Sequence, residues 1–192
     1  MKNWDCDWDD DCLPPEQDGC YCWQCMYAKK CWPDEQQPTE IRAYIKGGPL
    51  APSIKGVVTF RDVPGGTEVS VTVTGLPQYQ PAEGNRAPVG PHGFHLHECG
   101  SCAVGNPEDP FMKAGGHWNP ANQPHGNHAG DFPVLFSNNG RASMSLFTNK
   151  FKPDDVVGKA VIIHENPDDY RSQPAGAAGR RLACGVIKRS SR

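Results

Sequence analysis

No stretch of this 192-residue chain approaches the ~20 consecutive apolar residues that a membrane-spanning helix requires, so no helical span is expected. The amino end, MKNWDCDWDDDC, is acidic where an export signal would be basic and then apolar. Its expected location is therefore the cytoplasm, or an assembled spore or envelope layer. No convincing helical periodicity runs through the sequence, which disfavours a helical bundle. Net charge is small too, −3, but unevenly placed: residues 1–40 hold ten Asp/Glu against three Lys/Arg, and the remainder is net +4. A dispersed +4 suits a small anionic ligand and is too weak to argue for nucleic acid.

What the chain has in excess is glycine (21) and proline (19), which favours a loop-rich all-β architecture. The first 38 residues stand apart. They hold Cys6, Cys12, Cys20, Cys22, Cys25 and Cys31, an Asp run and several prolines, without period 2 or 3.6. Residues 39–192 read as a β domain. Strands are expected at 39–46, 53–63, 67–76, 91–98, 132–137, 141–149, 156–165 and 182–189. The clearest alternation is Val69, Val71 and Val73; Pro64-Gly65 and Asn139-Gly140 signal hairpin turns. Eight short antiparallel strands with long inserted loops predict a closed or nearly closed barrel or sandwich with Greek-key connections. Residues 98–132 are too rich in Gly, Pro and Asn for regular structure, and a loop that long in a compact domain is usually functional.

Six of the seven histidines fall between His92 and Asp131; the seventh, His164, sits in the apolar run VIIHE. His95 and His97 are two apart, so on a strand both rings project from one face. His125, His128 and Asp131 follow at intervals of three in a Gly-rich segment, a tight loop able to wrap one ion with two nitrogens and an oxygen. With His117 and His164 added, seven donors suggest two metal sites side by side. A lone histidine is usually a surface or hydrogen-bonded residue, but that explanation must hold here for every donor at once.

The motifs GFHLHE, GGHWNP, GNHAGD, VIIHENPDD and GRRLACGVI, in that order over residues 40–189, resemble the copper/zinc superoxide dismutase family. The resemblance implies an eight-stranded antiparallel Greek-key barrel of immunoglobulin-like, superoxide dismutase type. It implies an oxidoreductase that converts superoxide to dioxygen and hydrogen peroxide as copper cycles between Cu(II) and Cu(I). Copper would be held by His95, His97, His117 and His164, and zinc by His117, His125, His128 and Asp131. Imidazole suits both oxidation states of copper, and a closed donor set suits structural zinc. His117 would bridge the metals and carry a proton. Asp168 would align one histidine of each site through its other nitrogen. Arg181 would select the anion at the cavity mouth, and Cys102 and Cys184 would form a disulfide. A homodimer is also expected.

The chain departs from the family's animal enzymes in the two-residue spacer between His125 and His128, which shortens the zinc loop. Residues 75–91 look inserted, and Cys99 is an extra candidate for pairing with Cys184. For the amino-terminal cysteines three readings stay open: a disulfide-stapled knot, a thiolate cluster holding zinc or Cu(I), and cross-links within an assembly. The rival function is a non-catalytic copper-binding or structural coat protein on the same fold. Such a relative would be expected to lose a copper donor or Arg181, and this sequence keeps all of them.

Overall fold

The computed structural model describes residues 40–190. The extension expected at 1–38, with its six cysteines, lies outside the described residues. The core of the fold is one curled antiparallel sheet of seven strands: β1 (Ile41–Gly47), β2 (Lys55–Val63), β3 (Gly66–Thr74), β4 (Phe94–His97), β7 (Arg141–Thr148), β8 (Ala160–His164) and β9 (Arg181–Arg189). A short ribbon, β5 (Gly105–Asn106) with β6 (Asp109–Pro110), lies in the long loop after β4. The spatial order is β4-β8-β9-β1-β2-β3-β7, so three neighbouring pairs, β4/β8, β9/β1 and β3/β7, are distant in sequence. This is an all-β Greek-key barrel of the expected class.

Period-2 patterning selects the inner face. Ile41, Ala43 and Ile45 of β1, Val58 and Phe60 of β2, and Val69, Val71 and Val73 of β3 are all buried in one cluster. Each of the larger side chains contributes about 1.5–3 kcal/mol by leaving water, and Ala43 less. The hairpins form where the turn residues mark them. Val63 pairs with Gly66 across Pro64-Gly65. Asn138 pairs with Arg141, and between them Asn139 (φ 52°) and Gly140 (φ 76°) both take the positive φ of a type I′ turn.

The strand expected at 132–137 is reduced to a single bridge. His92 and Leu135 exchange backbone hydrogen bonds at 2.9 and 2.8 Å, and Phe132 N–H reaches Phe94 O at 3.3 Å, but no ladder continues. Pro133 lacks a donor, and the buried residues Phe132 and Leu135 are three apart rather than two. Residues 98–132 are less irregular than their composition suggests, holding the β5–β6 ribbon and a 3-10 turn at Met112–Ala114.

One asymmetry sets up the site. Strand β8 is buried on both faces. Val161 and Ile163 point into the barrel, whereas Ala160 and Ile162 join Phe111, Ala114 and Cys184 beneath the long loop outside it. The loop is held down by the Cys102–Cys184 disulfide, which spans 82 residues of sequence. Cys99, the extra candidate, is a free and exposed thiol.

Candidate metal centre

Strand β4 divides its side chains cleanly. Phe94 and Leu96 enter the barrel core, and the alternation therefore turns His95 and His97 to the outer face, under the loops. His164 ends β8 on that same outer face, and its N–H bonds Gly93 O at 2.8 Å, fixing it beside β4. The free edge of β4 recruits the loop. Leu96 N–H donates to Gly130 O at 2.9 Å, Trp118 N–H to Leu96 O at 2.8 Å, and Glu98 N–H to Gly116 O at 3.1 Å. These bonds set His117 opposite His97 and Asp131 opposite His95. Backbone pairing thus brings together donors 14 to 69 positions apart.

Two sets of donor atoms result, each within 4.8 Å: His95, His97, His117 and His164, and then His117, His125, His128 and Asp131. His117 belongs to both. All six histidines are buried. The partners of the ring nitrogens identify which lone pairs are free. His97 Nδ1 donates to Gly115 O (3.0 Å) and His164 Nδ1 to Gly179 O (3.2 Å), since a carbonyl only accepts. Their Nε2 atoms, each left with a lone pair, face one another at 3.3 Å. Two such lone pairs repel unless a cation lies between them. Meanwhile His95 Nδ1, His117 Nε2, His125 Nδ1 and His128 Nδ1 are buried without a hydrogen-bond partner. Orphaned acceptors of this kind are costly in a protein interior unless something binds them.

Asp168 joins the two sets. Its Oδ2 accepts from His95 Nε2 at 2.7 Å and its Oδ1 from His125 Nε2 at 2.8 Å, which turns the Nδ1 of both rings toward the donor clusters. Asp131 faces the second set with Oδ1, 3.1 Å from His117 Nδ1 and 3.2 Å from His128 Nδ1. Its Oδ2 is anchored by the N–H groups of Gly126 (2.9 Å) and His128 (3.0 Å).

The electrostatics keep His95, His97, His128 and His164 neutral and the two carboxylates charged. Burial, and then the neighbouring rings, hold His97 and His164 well below the usual histidine range. Burial lowers His95 to about 4 against the opposing hydrogen bond from Asp168. Burial also lowers His128, with Asp131 pulling the other way. For Asp131 burial acts upward, but hydrogen bonding to His117 and the charge of His125 outweigh it, and the carboxyl lies below its ordinary value. Asp168 is lowered likewise, through His95 and His125. Neutral imidazoles beside ionised carboxylates are the protonation states that ligation needs.

The two adjacent arginines separate in space. Arg180 forms a bidentate ion pair with Glu165, at 2.8 and 2.7 Å. Arg181 is half-buried, donating to Phe111 O and Gly115 O at 2.7 Å each. Gly115 O thus accepts from both His97 and Arg181, tying the guanidinium to the first donor set. Residues the sequence did not single out also touch the site. The backbone of His125 is held by Gln173, and the His125–His128 turn by Lys150. His92, though within the histidine-rich stretch, is not a donor: its Nδ1 is 2.9 Å from His164 O.

The profile of the family described as copper/zinc superoxide dismutase matches residues 54–187. The Cu-Zn superoxide dismutase of Deinococcus radiodurans is 35% identical over 152 residues, covering 70% of this chain and 78% of that protein. The Legionella pneumophila enzyme of the same name is 40% identical over 141 residues, 69% and 77% of the two chains. Among solved structures, the Cu/Zn superoxide dismutase from Brucella abortus superposes with a TM-score of 0.62 at 30% identity, covering 78% of this chain and 99% of that one.

Proposed function

The chain belongs to the copper/zinc superoxide dismutase family and disproportionates superoxide to dioxygen and hydrogen peroxide, and from that premise we propose that His95, His97, His117 and His164 hold the copper while His117, His125, His128 and Asp131 hold the zinc. The observation that carries the assignment is the opposed pair of Nε2 lone pairs on His97 and His164, 3.3 Å apart. The donor chemistry fits both metals: four imidazoles for an ion that changes oxidation state, and three imidazoles with a carboxylate for one that does not.

Copper, when bound there, would supply the one-electron exchange. The chain does the rest. Gly115 O and Gly179 O fix the tautomers of His97 and His164, so that Nε2 is the available atom on each. Asp168 does the same for His95 and His125, leaving Nδ1. Arg181, held by two carbonyls, presents a fixed positive charge that attracts the anionic substrate. His117, shared by both sets, would be both a holder of the two metals and the proton carrier for the peroxide product. The Asp131 carboxylate, pinned through Oδ2, orients His117 from the opposite side.

The test is superoxide consumption by protein loaded with copper and zinc. Activity with one copper and one zinc in the two donor sets is expected; inactivity at full copper occupancy would instead favour a non-catalytic coat or copper-binding role. Residues 1–38 are proposed as a separate extension that binds further soft metal or cross-links, which predicts extra metal or disulfide in the full chain relative to 39–192. A homodimer is proposed on the exposed aromatics Tyr79 and Phe136, which flank an apolar cavity of about 380 Å³. Sedimentation as a monomer at every assay concentration would retire it.

A further inference from the structure

The turn that carries three of the four zinc donors is held from within by a few hydrogen bonds: Asp131 Oδ2 takes the N–H groups of Gly126 and His128, and Asn127 reaches Pro124 O at 3.1 Å and Gln123 Oε1 at 3.2 Å. Only Gly126 and Asn127 separate His125 from His128, and both are exposed. A two-residue spacer buries no apolar surface, so these bonds gain little support from packing. Two side chains from other parts of the chain reach it. Gln173, in the loop after β8, spans the backbone of His125: its Oε1 accepts from His125 N–H at 2.9 Å and its Nε2 donates to His125 O at 3.4 Å. The same Nε2 reaches Arg171 O at 3.2 Å, which ties the amide to its own loop. Lys150, just past β7, closes the other end. Its Nζ donates to Asn127 Oδ1 at 3.0 Å and to His128 O at 3.1 Å.

Resting on the zinc assignment above, we propose that Gln173 and Lys150 are positioning residues of the zinc site. They clamp the His125–His128 turn at its two ends in place of a longer, self-packed loop. Neither touches a donor nitrogen; each fixes the backbone from which a donor projects. The clamp is specific to the zinc half. His95, His97 and His164 project from strands or strand ends paired to neighbouring backbone and make no hydrogen bond with either side chain, although Gln173 and His164 line one shallow cavity.

Outer partners of metal ligands are commonly worth 10–100-fold in affinity. For Gln173→Ala, zinc release to a chelator should speed up on the order of tenfold, and for Lys150→Met several-fold, with a larger change in the double variant. Copper release should stay at the parent rate. Cobalt placed in the zinc site gives a second readout, since its visible spectrum reports donor geometry and should broaden in both variants. Lys150→Arg keeps a cation within reach and should restore most of the lost retention. Gln173→Glu keeps an acceptor for His125 N–H and should fall between Ala and the parent, which guards against misfolding of the Ala variant. Parent-like zinc release and cobalt spectra in the double variant would overturn the clamp, as would equal acceleration of copper and zinc release. A parent protein that shows no cobalt spectrum would overturn the zinc assignment itself, and the clamp with it.

Discussion

The two halves of the metal centre are built on different principles. Three of the proposed copper donors stand on or at the ends of paired strands, where each ring direction follows from the pleat and each position from the ladder. Three zinc-side donors stand on a turn and its exit, where side chains do the work: Asp131 Oδ2 caps two N–H groups, while Gln173 and Lys150 hold the ends. The strand half is therefore rigid because the barrel is rigid. On the clamp proposal, the turn half keeps its order only while its tethers are made. His117 and Asp168 cross between them, so the difference is one of support rather than of separate sites.

The largest test removes one donor from each half. His164→Ala should abolish superoxide consumption by roughly three orders of magnitude, ~4 kcal/mol in barrier, with the barrel still folded. His128→Ala should lose zinc yet keep copper and part of the activity. Metal content and assay together check the pair, and an active His164→Ala protein would mean that the copper donors are misassigned. The next test is pH. In the metal-free chain His95 titrates at about 4 when folded against 6.5 when not. Its folded value is lowered, so the unfolded chain binds the extra proton between those limits. Stability is whole above pH 6.5 and declines toward pH 4, by about 3 kcal/mol for this ring. Asp131 and Asp168, whose values are lowered, contribute above their ordinary range near 4 and lose that contribution only below it. Melting of metal-free protein should accordingly weaken as pH falls below 6.5, and a melting temperature flat from pH 7 to 4 would contradict it.

The same division explains what could be read from sequence. His95 and His97 were legible because a period of two on a strand is a geometric statement, and Val69, Val71 and Val73 were legible for the same reason. The Asn139-Gly140 turn follows from which residues tolerate positive φ. The expected strand at 132–137 does not form because Pro133 removes a ladder donor, which apolar content alone does not reveal. Gln173 and Lys150 left no signal: a tether from a distant loop has no fixed spacing, and both residue types are ordinary on surfaces. Arg181 could be told from Arg180 only by resemblance, since Glu165 decides the matter and lies fifteen residues away from Arg180.

Asp168 offers a smaller effect that reaches both halves. Replacing it with Ala frees the rings of His95 and His125 to turn and lets either nitrogen carry the proton. Affinity should fall about 10–100-fold for zinc, and less for copper, because His95 is also fixed by its strand. Equilibrium competition with a chelator, run for each metal, checks the inequality; equal losses would mean that strand support counts for nothing.

The least effect is expected from a single methyl on the turn, at Gly126. Its φ of 89° is one that side chains rarely adopt, and a Cβ there would stand 2.5 Å from Tyr170 O. Tyr170 cannot simply withdraw. Its N–H donates to Asp168 Oδ1 at 2.7 Å, and its hydroxyl accepts from Val134 N–H at 2.9 Å. The turn must therefore yield instead, loosening the Gly126 N–H bond to Asp131 Oδ2. Gly126→Ala should cost about tenfold in zinc retention, on the scale of ~1 kcal/mol for a strained backbone, and should leave copper retention unchanged. If copper is lost in step, the strain is passing through Tyr170 and Asp168 to His95, and the two halves are coupled more tightly than their supports suggest.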